Sequence, residues 1–184
     1  MTYKYTNYWS KLIETFDDFL PNDQFNRLYE EVTRLPYFYG ERDSQWVAPA
    51  GLISDLNNSK IHEYLYEQVK DLETLKGLVH ERTYVNYFSR GEPTTYHDDN
   101  TARTLLFYFN TTWQLDESGE TKFSIDPKLI DGIECSGSED YPIILSIAPI
   151  PNRMVIFRGD LIHCATSFKS QGRFTVAMKF KEPK

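Results

Sequence analysis

Three side chains that suit a metal site lie on predicted strands in the second half of the chain. His97 and Asp99 are separated by one residue, and because successive side chains of a strand point to opposite faces, both lie on the same side. His163 is the best candidate for a further nitrogen ligand. Two imidazoles and a carboxylate on one face of an octahedron leave three positions open, which suits Fe(II) and chemistry with oxygen.

A single arginine, Arg173, follows His163 by ten positions and opens the last predicted strand. On that strand the even-numbered residues 174–180 are apolar, whereas Arg173, Thr175 and Ala177 lie on the other face. An arginine among small residues inside a barrel needs an anion to offset the loss of its hydration, and a dicarboxylate offers a bidentate partner. The pattern therefore indicates an anionic cosubstrate near the metal.

Several runs around these residues share the order and spacing of a known family. They are the segments 87–99, 107–113, 119–123 and 147–163, followed by Arg173. Together they resemble the 2-oxoglutarate- and Fe(II)-dependent dioxygenases, specifically the prolyl 4-hydroxylase-like branch, over roughly half of the chain. The resemblance implies a double-stranded β-helix, a variant of the jelly roll, with N-terminal helices that support one sheet.

The same resemblance implies roles for individual residues. His97, Asp99 and His163 are the expected iron ligands, and Arg173 is expected to bind the distal carboxylate of 2-oxoglutarate. The implied reaction uses O2 to hydroxylate an unactivated C–H bond and releases succinate and carbon dioxide. A requirement for ascorbate stays open.

Two tyrosines and one alanine also take their expected roles from the resemblance. Tyr87 and Tyr108 stand where this branch often places tyrosines that hydrogen-bond the cosubstrate. Packing in the core is an equal alternative for both in a chain with 13 Tyr. Ala177 stands where some members have a hydroxyl that assists the cosubstrate.

The substrate is the least specified part of the prediction. Peptidyl proline is the first expectation, by analogy with the branch, and a free amino acid or another small molecule is the alternative. The loop 126–141 and the stretch 45–57 are expected to border the substrate entrance. Two other classes stay open. One is a jelly-roll protein that binds a metal without catalysis, and the other is a cupin-like metal enzyme that uses no 2-oxoglutarate, in which Arg173 is a salt-bridge partner.

Composition places these residues in one folded domain of 184 residues with 40% hydrophobic side chains. The formal net charge of -7 argues against binding of nucleic acid as the main activity. Cys135 and Cys164 are too few for a disulfide scaffold, so a reducing compartment is expected. Without a signal-peptide pattern or a long apolar run, we expect a cytoplasmic protein with no membrane partner; the oligomeric state stays open.

The elements that must position these residues form two parts: a helical support over residues 1–80 and a β-rich core over residues 81–181. One helix is expected after the turn 21–23, and a second is expected between Ser59, which caps it, and Gly77. The remainder predicts an α+β, mainly β, jelly roll rather than a parallel α/β sheet. The predicted strands are 82–88, 94–97, 103–110, 121–125, 143–148, 153–157, 162–167 and 173–180.

Overall fold

The computed structural model describes residues 12–40, 51–92, 95–126 and 143–184. Within these ranges the chain forms ten β-strands and two α-helices, with a short 3-10 turn at Glu73–Leu75. The elements are β1 (Ile13–Phe16), α1 (Asn22–Thr33), β2 (Phe38–Tyr39), β3 (Leu52–Asp55), α2 (Lys60–Val69), β4 (Val79–Phe88), β5 (Arg103–Tyr108), β6 (Thr121–Ile125), β7 (Ile143–Ile147), β8 (Met154–Arg158), β9 (Ile162–Ala165) and β10 (Arg173–Lys181).

The described strands form two antiparallel sheets. The major sheet has the order β1-β8-β5-β10-β4-β3-β2, and the minor sheet has the order β7-β6-β9. Apolar side chains of both sheets meet in one buried cluster that includes Phe123 from β6 and Phe157 from β8. This architecture confirms the predicted mainly-β jelly roll.

The helices cover the outer face of the major sheet because each has one apolar stripe. The buried positions are Phe25, Leu28 and Val32 in α1, and Ile61, Leu65 and Val69 in α2. The predicted cap of α2 is confirmed, since the hydroxyl of Ser59 accepts a hydrogen bond from the backbone N–H of His62 at 3.0 Å. Burial of each such aliphatic or aromatic side chain contributes about 1.5–3 kcal/mol, so the stripes are sufficient to dock both helices.

Strand β10 lies at the centre of the major sheet and divides the interior into two layers. Its even-numbered residues from Val176 to Phe180 pack in the cluster that contains both helices. Its odd-numbered residues from Arg173 to Lys179 face the minor sheet and line a cavity. The alternation expected for this strand is therefore present, and it extends to Lys179.

Two sequence-based expectations differ from the structure. The first third is not helical throughout, because β1, β2 and β3 lie within it and extend the major sheet at both edges. The strand expected at 94–97 is reduced to a single bridge between His97 and His163, and residue 94 lies outside the described ranges. Within those ranges, no helix has the length and apolar character to cross a membrane.

Candidate active site

The two histidines of the candidate metal site are joined through their backbones. The N–H of His97 donates to the carbonyl of His163 at 2.9 Å, and the N–H of His163 donates to the carbonyl of His97 at 2.8 Å. Their ring centroids lie 4.6 Å apart. Strand β9 therefore fixes the position of the segment that carries His97, and the two rings point into the same cavity.

Each histidine presents its Nε2 atom to the site. The Nδ1 atom of His163 lies 2.9 Å from the carbonyl oxygen of Leu161, and Nδ1 of His97 lies 3.1 Å from that of Thr95. A carbonyl oxygen only accepts, so both Nδ1 atoms carry the proton, and this leaves the lone pairs of Nε2 for a metal. Burial lowers the pKa of His163, which favours the neutral form that can bind a metal.

Asp99 completes the cluster. Its N–H donates to the carbonyl of Gly159 at 2.8 Å. Its carboxylate oxygens lie 3.9 Å from Nε2 of His97 and 3.7 Å from Nε2 of His163. The potential ligand atoms of the three residues all lie within 4.8 Å of one another. This set of imidazole and carboxylate donors fits a divalent transition metal.

Two further side chains hold the carboxylate of Asp99. Oδ2 accepts a hydrogen bond from the hydroxyl of Thr104 at 2.5 Å, and Oδ1 lies 2.8 Å from the ammonium of Lys179. Burial of Asp99 opposes its ionisation, but the positive charge of Lys179, the neighbouring His163 and these hydrogen bonds outweigh burial and hold the pKa below its usual value. Asp99 is therefore an anionic ligand at neutral pH.

Arg173 lies at the far end of the cavity and is 1% exposed. Its Nη2 donates to the hydroxyl of Thr121 at 2.9 Å, and that hydroxyl also lies 2.8 Å from the phenol of Tyr108. Burial raises the pKa of Tyr108, so the phenol keeps its proton. Among the described residues, Arg173 has no carboxylate at salt-bridge distance, and its Nε and the buried hydroxyl of Thr175 have no hydrogen-bond partner.

The cavity between the metal-ligand cluster and Arg173 has a volume of ≈ 210 Å³. Its floor comes from β10, β4 and β5, with Thr175, Ala177, Asn86 and Leu106 among the lining residues. A buried guanidinium with no carboxylate partner and an unbonded Nε, beside a buried hydroxyl without a hydrogen-bond partner, fits one carboxylate group, because each would gain a charge-assisted hydrogen bond. The residues at the two ends therefore fit a divalent metal and a carboxylate ligand.

The structure brings together most of the side chains singled out in the sequence. His97, Asp99 and His163 form one cluster, and Arg173 and Tyr108 lie beside each other, with the guanidinium 5.3 Å from the centre of the phenol ring. Their roles in binding a metal and a cosubstrate stay predictions at this point.

Tyr87 is not part of this group. It pairs with Phe174 in the register of β4 and β10, and its ring packs 4.7 Å from that of Phe174 and 5.9 Å from that of Tyr37. These contacts belong to the layer under the helices, while the neighbouring Asn86 faces the cavity. The expected position of Tyr87 beside the cosubstrate is therefore corrected: its side chain packs in the core, which was the alternative expectation.

Some members of the resembled family have a hydroxyl at the position of Ala177. In this protein Thr175, two residues earlier, provides a hydroxyl. Thr175 lies on the same face of β10 as Ala177 and next to Arg173. The sequence reasoning also missed Thr104, Thr121 and Lys179. Lys179 could have been predicted, because continuing the alternation of the last strand by one step reaches this residue. Thr104 and Thr121 could not have been predicted, because their roles depend on which strands are neighbours.

The expected entrance segments are only partly observed. Of the loop 126–141, only Asp126 lies within the described ranges, and of the stretch 45–57, residues 51–57 do. Cys135 lies outside them, whereas Cys164 is a buried free thiol. The borders of the substrate entrance therefore stay predictions.

No family model and no curated protein matches this sequence, but solved structures match its fold. A prolyl-4-hydroxylase from Pseudomonas putida has a TM-score of 0.70 at 14% identity, covering 94% of this chain and 93% of that chain. A Trichoplax adhaerens prolyl hydroxylase, in complex with a peptide fragment of the hypoxia inducible factor oxygen degradation domain, has a TM-score of 0.74 at 15% identity, covering 92% and 83%. HygX from Streptomyces hygroscopicus, with nickel, 2-oxoglutarate and hygromycin B bound, has a TM-score of 0.67 at 10% identity, covering 95% and 84%. The chain therefore has the fold of the 2-oxoglutarate- and Fe(II)-dependent oxygenases, with an intact His-Asp-His cluster.

Proposed function

We propose that this protein is an Fe(II)- and 2-oxoglutarate-dependent dioxygenase that hydroxylates an unactivated C–H bond. One observation carries the proposal: the metal-ligand cluster and a buried arginine without a carboxylate partner in the described ranges lie at opposite ends of one cavity. A jelly-roll protein that binds a metal without catalysis needs the ligand cluster but not a buried arginine without a carboxylate partner at the other end of the cavity. A cupin-like metal enzyme needs the ligands but gives no reason for an unpaired cation at the other end.

In this proposal the Nε2 atoms of His97 and His163 and one oxygen of Asp99 hold the metal. Bound Fe(II) supplies the redox chemistry that couples the oxidative decarboxylation of 2-oxoglutarate to insertion of one oxygen atom of O2 into the substrate, with succinate and carbon dioxide as the other products. The hydrogen bonds from both Nδ1 atoms to backbone carbonyls keep the rings oriented, and Thr104 does the same for the carboxylate.

Arg173 binds the distal carboxylate of 2-oxoglutarate through its unpaired Nε and its Nη groups, and the hydroxyl of Thr175 donates to the same carboxylate. Thr121 and Tyr108 keep the guanidinium in place from behind. The arginine is buried, so the ion pair forms away from water, where it is stronger than at a surface. This end of the cavity therefore favours a ligand that has a carboxylate at the end far from the metal.

The substrate is proposed at two levels. A peptide or a small molecule is the general class, and peptidyl proline is the first specific candidate. The solved prolyl hydroxylases with this fold support the peptide, and HygX, which binds hygromycin B, supports a small molecule. Fold alone does not decide between them, because one fold carries many specificities.

The test is turnover of 2-oxoglutarate to succinate with Fe(II) and O2, compared between the wild type and Asp99→Ala. We expect the wild type to convert 2-oxoglutarate and the variant to lose conversion at least about 100-fold, because a metal ligand is removed. A conservative control is Asp116→Ala, an exposed carboxylate in the described residues. Turnover that survives in Asp99→Ala contradicts the proposal.

An anaerobic titration separates the remaining alternatives. If Fe(II) and 2-oxoglutarate bind together, a weak visible charge-transfer band should develop only when both are present. A cupin-like enzyme would bind Fe(II) without the band, and purified wild type that binds neither metal nor 2-oxoglutarate overturns the proposed function.

A further inference from the structure

A second cation lies inside the cavity, at the end opposite Arg173. The side chain of Lys179 is 17% exposed, and its ammonium lies 2.8 Å from Oδ1 of Asp99. It also lies 5.4 Å from the centre of the Tyr84 ring, which adds a cation–π contact. The register of the major sheet places Lys179 beside Thr104 of β5. Asp99 is therefore held by two donors from the floor of the cavity.

The lysine is more than is needed to orient Asp99. Thr104 already donates a 2.5 Å hydrogen bond to the same carboxylate, and a hydroxyl performs this task without placing a positive charge next to a metal site. When Asp99 also binds a divalent cation, its single negative charge is shared between two positive groups. Lys179 then loses most of its compensation while it stays largely buried, which is costly without another anion.

A count of charges leads to the same point. Arg173 and Lys179 contribute two positive charges to the cavity and Asp99 contributes one negative charge. A divalent metal adds two positive charges, and dianionic 2-oxoglutarate removes two, so one positive charge is left. Asp98 also lines the cavity, but its side chain is exposed, where water and salt screen it.

We propose that Lys179 binds a carboxylate of the substrate, so that the protein acts on a molecule with an acidic group close to the C–H bond that reacts. The inference rests on the proposed function, because Asp99 shares its negative charge between Lys179 and a second positive group only when a metal is bound. It differs from what the net charge of -7 predicts, namely a neutral or basic substrate. The charged side chains that line the cavity, rather than the net charge of the chain, decide which group sits beside the metal.

Two sources offer such a carboxylate: a free amino acid, or an acidic residue beside the reacting residue of a peptide. The test uses protein loaded with Zn(II) and 2-oxoglutarate, because zinc has no redox chemistry and the complex does not turn over. Isothermal titration calorimetry first measures the binding of zinc and of 2-oxoglutarate. It then compares free amino acids with their amides, and capped Pro-Glu peptides with capped Pro-Gln peptides.

In one of the two arms, we expect the wild type to bind the acid about 10- to 100-fold more tightly than the neutral analogue, the usual size of a hydrogen bond between charged groups. Lys179→Gln keeps a donor for Asp99 but removes the charge, so we expect it to lose the preference; its binding of zinc and of 2-oxoglutarate is measured first, and the two ligands of each pair are compared on the loaded variant. Lys179→Arg should keep part of it. Lys181→Met is the matched control, since Lys181 lies on the same strand but pairs with Glu81 at 3.1 Å, outside the cavity.

The outcomes separate this inference from the proposed function. Wild type that binds zinc and 2-oxoglutarate but prefers no acid in either arm overturns the role of Lys179 alone. A preference that survives in Lys179→Gln does the same, because the charge is then unnecessary. Wild type that binds neither zinc nor 2-oxoglutarate contradicts the proposed function instead.

Discussion

Arg173→Met tests the cosubstrate end of the cavity. The guanidinium is 1% exposed and has no carboxylate at salt-bridge distance in the described ranges. Removal of one partner from a buried, hydrogen-bonded charge pair costs about 2–5 kcal/mol. We therefore expect the dissociation constant of 2-oxoglutarate, measured by calorimetry on the zinc-loaded protein, to rise at least about 30-fold. The zinc affinity should change little, since Arg173 lies at the other end of the cavity.

The same change should appear in thermal unfolding. At a ligand concentration of 100 times the wild-type dissociation constant, 2-oxoglutarate stabilises the wild type by about 2.7 kcal/mol. For a domain of 184 residues this raises Tm by about 5–10 °C. If the variant binds 100-fold more weakly, the same concentration stabilises it by only about 0.4 kcal/mol, or about 1 °C.

Without 2-oxoglutarate, the wild type is not expected to unfold at a higher temperature than Arg173→Met. The wild type then carries a buried cation without a carboxylate, and replacing such a group with an apolar one of similar size is often neutral or stabilising. Arg173→Met should therefore unfold at the same temperature as the wild type or a higher one when no ligand is present.

The control is Arg153→Met, because Arg153 pairs with Asp17 at 2.6 Å and does not line the cavity. This variant should bind 2-oxoglutarate as the wild type does. If Arg173→Met binds 2-oxoglutarate within threefold of the wild type, the assignment of Arg173 as the carboxylate anchor is wrong, whatever the activity of the variant.

Three further predictions concern the metal ligands and the core. Asp99→Asn should weaken zinc binding at least about 100-fold. It should also lower the free energy of unfolding of the metal-free protein in urea by about 1–3 kcal/mol, because Lys179 loses its counter-charge. Unchanged zinc affinity would contradict the ligand assignment. Burial lowers the pKa of His163, so this imidazole is protonated in the unfolded chain before it is protonated in the folded protein as pH falls below about 6.5. The metal-free protein should therefore have its full stability above that pH and lose up to about 1.4 kcal/mol per pH unit below it. If His163→Asn shows the same slope of stability against pH, this cause is refuted. Asn152→Ala should cost about 2–3 kcal/mol in urea unfolding, because the Asn152 amide bonds both the N–H and the carbonyl of Leu20, at 2.9 and 2.7 Å; a loss below 0.5 kcal/mol would show that these bonds contribute little.

The metal ligands and the arginine were predictable because their signals are local. His97 and Asp99 share a face through simple alternation, and Arg173 opens a strand whose other face is uniformly apolar. The chain order of these residues then resembled that of a known family. Only the grouping of His163 with these residues depends on which strands are neighbours, and the family resemblance supplied it.

The error for Tyr87 has a physical cause. Strand β4 carries aromatic residues on both faces: Tyr84 lines the cavity, and Tyr87 packs against Phe174 and Tyr37. Alternation alone shows that two residues lie on opposite faces of a strand, but it does not show which of the two faces lines the cavity. That is decided by the pairing of Tyr87 with Phe174, which the sequence does not contain.

The strands of the first third were missed because they are short. Strand β2 has two residues, and β1 and β3 have four each. An alternating pattern over so few residues does not stand out from an irregular segment. These strands form through pairing with longer neighbours, β8 and β4, rather than through a preference of their own.

The paired backbones of His97 and His163 also bear on how a metal would leave the protein. The two residues are 66 positions apart, yet they exchange both main-chain hydrogen bonds, so the backbones that carry the two imidazoles stay together while the bridge is closed. A local opening of β9 would separate the two histidines and leave the ion with fewer ligands. Local opening of the minor sheet should therefore speed the loss of a bound metal.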